Sequence, residues 1–240
     1  MKKLSITGRN QVLSLLKSNI KIIKVSLDSK DSNDVRIKEI IALCQQKNIS
    51  LTFENRDFFK KYVESQGVYA EFEYIENIDL EKILQKDPLI VILKDILYKQ
   101  NLAAIIRSCN IAGVDLLVLP KKLKDLHLDS EVLRISEGAA LNTNIYYTNI
   151  FEFLDKLIDL DIKIFGVENF GQELYFNCNF KGAVGFLFGS EKDSLSEPLM
   201  KKCDKIVKIP QSKKSNLNSL NIASAVSIVI YEKIRQNSYE

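Results

Sequence analysis

Three short stretches hold the residues best suited to chemistry. The first runs Tyr98-Lys99-Gln100-Asn101 and leads on to Arg107. The second is Phe188-Gly189-Ser190-Glu191-Lys192. The third opens at Ile209-Pro210 and continues to Ser219-Leu220-Asn221. Together they offer glycine, amides, hydroxyls, one glutamate and one arginine, a set that suits holding and orienting a ligand for group transfer. Metal and covalent chemistry are poorly served. The single histidine, His127, sits in the polar stretch KLKDLHLD and reads as solvated or capping. Cys44, Cys109, Cys178 and Cys203 lie far apart with no C-x-x-C, so no metal site or Cys–His nucleophile is expected. Cys109 and Cys178 read as packed thiols. Neither G-x-G-x-x-G nor G-x-x-x-x-G-K-[ST] occurs, which disfavours a standard dinucleotide fold and a P-loop.

Each of these residues also has a purely structural reading. Asn101 could cap its helix, and Arg107 could be an exposed helix cation. Glu191 could complement a helix N-terminus. Ser219 could cap the last helix, with Asn221 solvated in its first turn. The two kinds of role are compatible, because helix starts beyond strand ends are where ligands bind in open α/β sheets.

The elements that must position these stretches alternate. In the later part, PLIVILKDI reads as a strand buried on both faces. NLAAIIRSCNIAG follows as a helix stopped by Gly113, and VDLLVLP as a strand ended by Pro120. IFEFLDKLIDLD is a helix capped by Asn149. IKIFGV, GAVGFLFGS and KIVKIP are strands, and SLNIASAVSIVIYEKIRQ is a long terminal helix whose Val226–Ile234 stripe is core or dimer surface. Such alternation predicts a parallel sheet with helices on both faces. The earlier part repeats the logic on a smaller scale: a strand over 20–27, a helix over 34–48, a strand over 49–53, and a helix over 55–65 capped by Asn55. The polar segment EYIENIDLEKILQKDP separates the two parts. The expected organisation is a small α/β domain over 1–77, a linker over 78–87, and a larger α/β domain over 88–240.

Composition narrows the class further. The chain has 240 residues, 46% hydrophobic and 27% charged, which is ordinary for a folded protein and unlike a disordered one. No apolar run approaches the roughly 20 residues of a membrane span, and MKKLSITGRNQ has no apolar stretch behind its lysines, so no secretory signal is expected. Dispersed free thiols suit a reducing cytoplasm. The net charge of +3 neither requires nor excludes a nucleic acid, so any such surface must be a local patch.

In order and spacing the three stretches resemble the SpoU (TrmH) family of SPOUT-class RNA ribose 2′-O-methyltransferases. The family's first motif is matched by Asn101, Arg107, Ala112 and Gly113. The second is matched by Phe186-Leu187-Phe188-Gly189-Ser190-Glu191, and the third by Ile209-Pro210 and Ser219-Leu220-Asn221. Ser136, Gly138 and Ala139 match a weaker element. The resemblance covers about residues 88–236. The start of the chain, Gly8-Arg9-Asn10-Gln11-Val12, together with Ser65-Gln66-Gly67-Val68-Tyr69-Ala70, looks like the substrate-binding domain of the family's ribosomal-RNA branch.

The resemblance implies a trefoil-knotted, SPOUT-like parallel-sheet α/β domain. It also implies a small N-terminal α/β RNA-binding domain related to a ribosomal protein, and a homodimer. The cofactor would be S-adenosylmethionine, held at Gly189, Ile209, Leu220 and Val167. Arg107 would contact the target ribose or its phosphate and help remove the hydroxyl proton. Asn101, Glu191, Ser219 and Asn221 would orient it. The favoured substrate is a guanosine of large-subunit ribosomal RNA. Transfer RNA, another ribosomal nucleoside, or a non-catalytic role in ribosome assembly are the alternatives. The chain departs from the family pattern where Tyr98-Lys99 replaces Asp-Pro and Gln211 replaces Met. Lys192 and Ser194 stand for glycines, and the longer loop Gln211 to Asn218 carries Ser212-Lys213-Lys214-Ser215.

Overall fold

Two sheets organise the chain in a computed structural model that describes residues 2–30, 34–62, 64–75, 78–217 and 219–238. The described residues form two units: 1–77 with 128–142, and 78–127 with 143–240.

The first unit runs β1 (Lys2–Thr7), α1 (Arg9–Lys17), β2 (Lys21–Asp28), α2 (Val35–Gln46), β3 (Ser50–Glu54), α3 (Arg56–Lys60) and β4 (Val68–Tyr74). Its sheet has the order β1-β4-β2-β3. β2 and β3 are parallel, and β4 is antiparallel to both of its neighbours. The expected elements β2, α2 and β3 are present within a residue or two. Asn55 caps α3 by accepting from Phe58 N at 3.1 Å, although α3 ends at Lys60 and Val63 lies outside the described residues. Three elements were not foreseen. β1 opens on two exposed lysines, α1 follows Gly8 at a φ of 96°, and β4 hides its alternation in the motif-like run around Gly67. α1 and α2 pack together, burying Val12, Leu15, Leu16, Ile37 and Ile40 to 1% exposure or less. Each such side chain contributes about 1.5–3 kcal/mol by leaving water.

The second unit continues with α4 (Leu80–Leu84), β5 (Leu89–Leu93), α5 (Lys99–Ala112) and β6 (Leu116–Pro120). Residues 128–142 carry α6 (Ser130–Ile135) and group with the first unit, where Gln11 Nε2 donates to Arg134 O at 3.1 Å. β7 (Ile145–Thr148), α7 (Ile150–Asp159), β8 (Lys163–Val167), β9 (Glu173–Leu174), β10 (Val184–Phe188), α8 (Glu197–Met200), β11 (Lys205–Lys208) and α9 (Ile222–Ser238) complete it. The seven-stranded sheet has the order β7-β6-β5-β10-β8-β11-β9, and every neighbouring pair is parallel. This is the α/β architecture the alternation predicts.

The local signals act as expected. Gly113 ends α5 in the left-handed region at φ 70°, with its N–H on Asn110 O. Asn149 caps α7 through Phe151 N at 3.0 Å. β5 and β10 are buried at all five positions, as central parallel strands must be. Ile90, Ile92, Leu116, Val118 and Leu187 form one core layer with α7, α4 and α8. α5 and α9 pack against each other, α9 also meets β10, and neither belongs to that layer, so the sheet is covered on both faces. Val226, Val229 and Ile230 are fully buried, which places that stripe in the core.

His127 is a correction. It is 1% exposed rather than solvated, and its Nδ1 lies 2.6 Å from the Tyr147 hydroxyl. Its polar sequence neighbours concealed a partner on β7.

Candidate functional site

Four adjacent strands, β5, β10, β8 and β11, run parallel, so their carboxyl ends open on one side. The loops leaving them contain the three stretches singled out in the sequence. The register pairs Phe188 with both Leu93 and Val167, and Val167 with Val207, which aligns the loop starts.

Glu191 ties two of these loops together. Its carboxylate accepts from Leu97 N at 3.0 Å and Tyr98 N at 3.3 Å, and from Asn101 Nδ2 at 3.0 Å. The first two are amides at the entry to α5, which have no partner inside the helix. Asn101 is therefore not the cap of α5. It is the third residue of a helix that starts at Lys99, and the carboxylate at its N-terminus comes from 90 residues away. Asn101 Oδ1 in turn accepts from Asn221 Nδ2 at 2.9 Å. Asn221 immediately precedes α9 and accepts from Ala223 N at 2.8 Å, so the capping role expected of Ser219 falls to Asn221. Glu191, Asn101 and Asn221 thus form one hydrogen-bonded chain across all three loops.

Beside this chain lies a cleft of about 250 Å³, near the lower limit of small-molecule sites. Val167, Gly189, Ile209 and Leu220, the residues expected to hold a cofactor, all line it, and so do Glu191 and Ser219. Asn101, Asn221 and Arg107 are not among its lining residues. Arg107 is exposed on α5, six residues and about 9 Å of helix beyond Asn101. α5 is held to α9 by Ser108 and Ser227, whose hydroxyls are 2.9 Å apart.

Two residues at the site were missed in the sequence. Glu168, one position past β8, accepts from Leu195 N, and its own N–H donates to Val207 O at 3.0 Å. Lys94, one position past β5, donates to Ser194 O at 2.8 Å. Their signal was available: each is the first charged residue after an apolar strand, where a parallel sheet places its ligands.

The electrostatics are specific. The lining includes Glu168, Glu191 and Asp193 against Lys192, a formal net charge of −2. Such a cleft favours a cation and repels phosphate. Its apolar walls, Val167, Ile209, Leu220 and Ile222, suit a flat ring. No cysteine is among the residues lining this cleft. Burial pushes Cys44 up to about 11 and Cys203 to about 12, and raises Cys109 further still, so these thiols stay protonated at neutral pH. Among the described residues no cluster of three or more His, Cys, Asp or Glu could hold a metal, and no helix is long and apolar enough to cross a membrane.

Comparison with known proteins shows the family and supports the fold. Residues 88–231 match the SpoU rRNA Methylase family, and residues 5–77 match the family described as RNA 2′-O ribose methyltransferase substrate binding. A 23S rRNA (guanosine-2′-O-)-methyltransferase of Neisseria meningitidis is 28% identical over 239 residues, covering 96% of this chain and 94% of the relative. A Bacillus subtilis protein named as a putative TrmH family tRNA/rRNA methyltransferase is 26% identical over 242 residues, covering 97% and 96%. The crystal structure of an RNA 2′-O ribose methyltransferase superposes with a TM-score of 0.84 at 19% identity, covering 98% of this chain and 89% of that one. A SpoU methyltransferase from Streptomyces viridochromogenes, in complex with AdoMet, gives 0.81 at 21% identity, covering 98% and 90%.

Proposed function

Because this chain belongs to the SpoU rRNA methylase family, we propose that it methylates a ribose 2′-hydroxyl of RNA using S-adenosylmethionine, and that its target is a guanosine of 23S ribosomal RNA. The observation that carries the reading is the acidic, apolar-walled cleft at the ends of β8, β10 and β11. Its charge and walls fit a cationic sulfonium attached to an adenosine. The guanosine and the large-subunit RNA follow the named activity of the Neisseria meningitidis relative. Residues 1–77 would hold the RNA, 78–87 would link, and 88–240 would carry the reaction, in the cytoplasm.

In this reading Val167, Ile209, Leu220 and the backbone at Gly189 hold the cofactor. When bound, it supplies an electrophilic methyl group. The chain's own task is to place the ribose oxygen in line with that methyl and to manage the proton it releases. Arg107 binds the ribose or its phosphate. Arginine is a poor general base, so a phosphate oxygen or water beside it accepts the hydroxyl proton. Asn101, Glu191 and Asn221 fix α5, and with it Arg107, while Ser219 orients the ribose from the lining of the cleft.

The function is tested with tritiated S-adenosylmethionine and separate pools of 23S rRNA, 16S rRNA and transfer RNA. Label confined to 23S rRNA, at a single guanosine 2′-oxygen, is the expected result. Label on transfer RNA alone would overturn the substrate. No label on any pool, with RNA still bound, would favour an assembly factor.

Gly189 offers a sharper check. A Cβ there would stand 2.9 Å from Asp193 O and 3.1 Å from Glu168 Oε1. Gly189→Val must therefore displace the turn that floors the cleft, and should weaken S-adenosylmethionine binding at least ~10-fold. Unchanged calorimetric affinity would remove Gly189 from the cofactor site. We also propose a homodimer. α5 and α9 leave Ile111 67% and Tyr231 48% exposed, apolar surface that a second copy would cover. Sedimentation velocity giving a monomer at micromolar concentration would exclude it.

A further inference from the structure

We infer that a second cleft, in the first unit, grips the phosphates of the RNA substrate, with Arg36 and Arg56 making the contact. The inference rests on the proposed function and assigns residues to the part of it that the cofactor cleft leaves open.

The basic residues lining this cleft are Arg9, Lys30, Arg36, Arg56 and Lys60, and the one acidic residue is Asp28, a formal net charge of +4. That is opposite in sign to the cofactor cleft. The choice of cation is as telling as the charge. The whole chain has 6 arginines against 28 lysines. Five basic residues drawn in that ratio would include about one arginine; the cleft holds three of the six. Arginine differs from lysine in presenting a planar fork of donors that matches two phosphate oxygens at once. A chain that otherwise uses lysine for solvated charge has placed arginine here.

The five cations are not equivalent. Arg9 is held in place: Nη1 meets Asp34 at 2.8 Å, and Nε donates to Gln66 O at 3.2 Å. Lys60 pairs with Asp57 at 2.7 Å. Lys30, Arg36 and Arg56 are exposed, and Arg36 adds to the positive field on Asp34, the partner of Arg9. The floor is polar and buried. Asp28 is 7% exposed and accepts from Lys30 N at 3.0 Å, and Ser65 is 8% exposed. With about 580 Å³ of space, the cleft accommodates a run of backbone and not a single ion. A fixed arginine beside two exposed ones suits consecutive phosphates of irregular or single-stranded RNA.

The test uses the full chain and an end-labelled 23S rRNA transcript, with affinity followed from about 50 to 200 mM salt. Arg36→Ala/Arg56→Ala should bind at least ~30-fold more weakly, the loss of two charge-assisted contacts. The slope of log affinity against log salt should fall by about 1.4, for two single-stranded phosphates. Arg36→Lys/Arg56→Lys should keep the slope and lose several-fold in affinity. Lys17→Ala/Lys21→Ala removes the same charge elsewhere on the unit and should stay within threefold of wild type. Calorimetric binding of S-adenosylmethionine should be unchanged throughout, which reports folding. Wild-type affinity in the double-alanine variant, or an equal loss in the Lys17/Lys21 variant, would overturn the assignment and leave the methyltransferase reading standing. A wild-type chain that binds no RNA would take down both.

Discussion

Replacing Arg107 by alanine is expected to slow single-turnover methyl transfer by about 10²–10³-fold, the usual effect of removing a donor that stabilises developing charge. The cofactor affinity should move by less than threefold, because Arg107 does not line the cleft. This split is what separates a residue acting on the ribose from one supporting the cofactor. Arg107 is exposed midway along α5, and α5 is fixed at its start by Glu191 and along its length by the Ser108–Ser227 hydrogen bond. A guanidinium so placed can meet a large polyanionic substrate without being desolvated beforehand. Arg107→Lys keeps the charge and loses the fork, so it should fall between the two. Transfer by Arg107→Ala within tenfold of wild type would end the assignment.

Glu191→Ala should damage stability and transfer together. The carboxylate accepts from the amides of Leu97 and Tyr98 and from the Asn101 amide, which in turn receives Asn221. Its removal leaves those donors to water at a half-exposed site, and costs about 1–3 kcal/mol in urea denaturation. The entry to α5 also loses a negative charge favoured at a helix N-terminus. Transfer should fall roughly 10²-fold, because a misplacement of about 1 Å is enough for that. Glu191→Gln keeps an acceptor oxygen and should recover part of both. A variant with full stability and reduced transfer would move Glu191 from positioning to direct contact. One with both intact would remove it from the site.

The sequence was most legible where a local rule decides the structure. Gly113 stops α5 because the turn needs a left-handed residue, and Asn149 caps α7 because its side chain reaches an amide two positions on. The apolar runs of β5 and β10 could only be central strands. Legibility failed where the partner is remote. Asn101 looks like a cap until Glu191 is seen to fill that role from the loop after β10. His127 looks solvated until Tyr147 is seen to cover it. β1 carries two lysines and no β-branched run, so nothing marked it before β4 was there to pair with it. Residues 128–142 follow β6 in sequence and yet group with residues 1–77, which no periodicity announces. The knot that the resemblance implies is a property of threading, which no residue pair announces. The candidate site was legible as a set of loops. Its hydrogen-bonded chain, Glu168 and Lys94 were not, because each depends on which strands become neighbours.

The order of the large sheet has a consequence for how copies of this protein can associate. Its margins are β7, with four residues, and β9, with two. A strand of two residues offers almost no row of open amides and carbonyls on which another chain could add a strand. Growth of the sheet from molecule to molecule, the usual route to fibrous aggregates, is blunted at that margin by length alone. The homodimer proposed above would then rest on side chains of helix surfaces and not on strand addition at that margin.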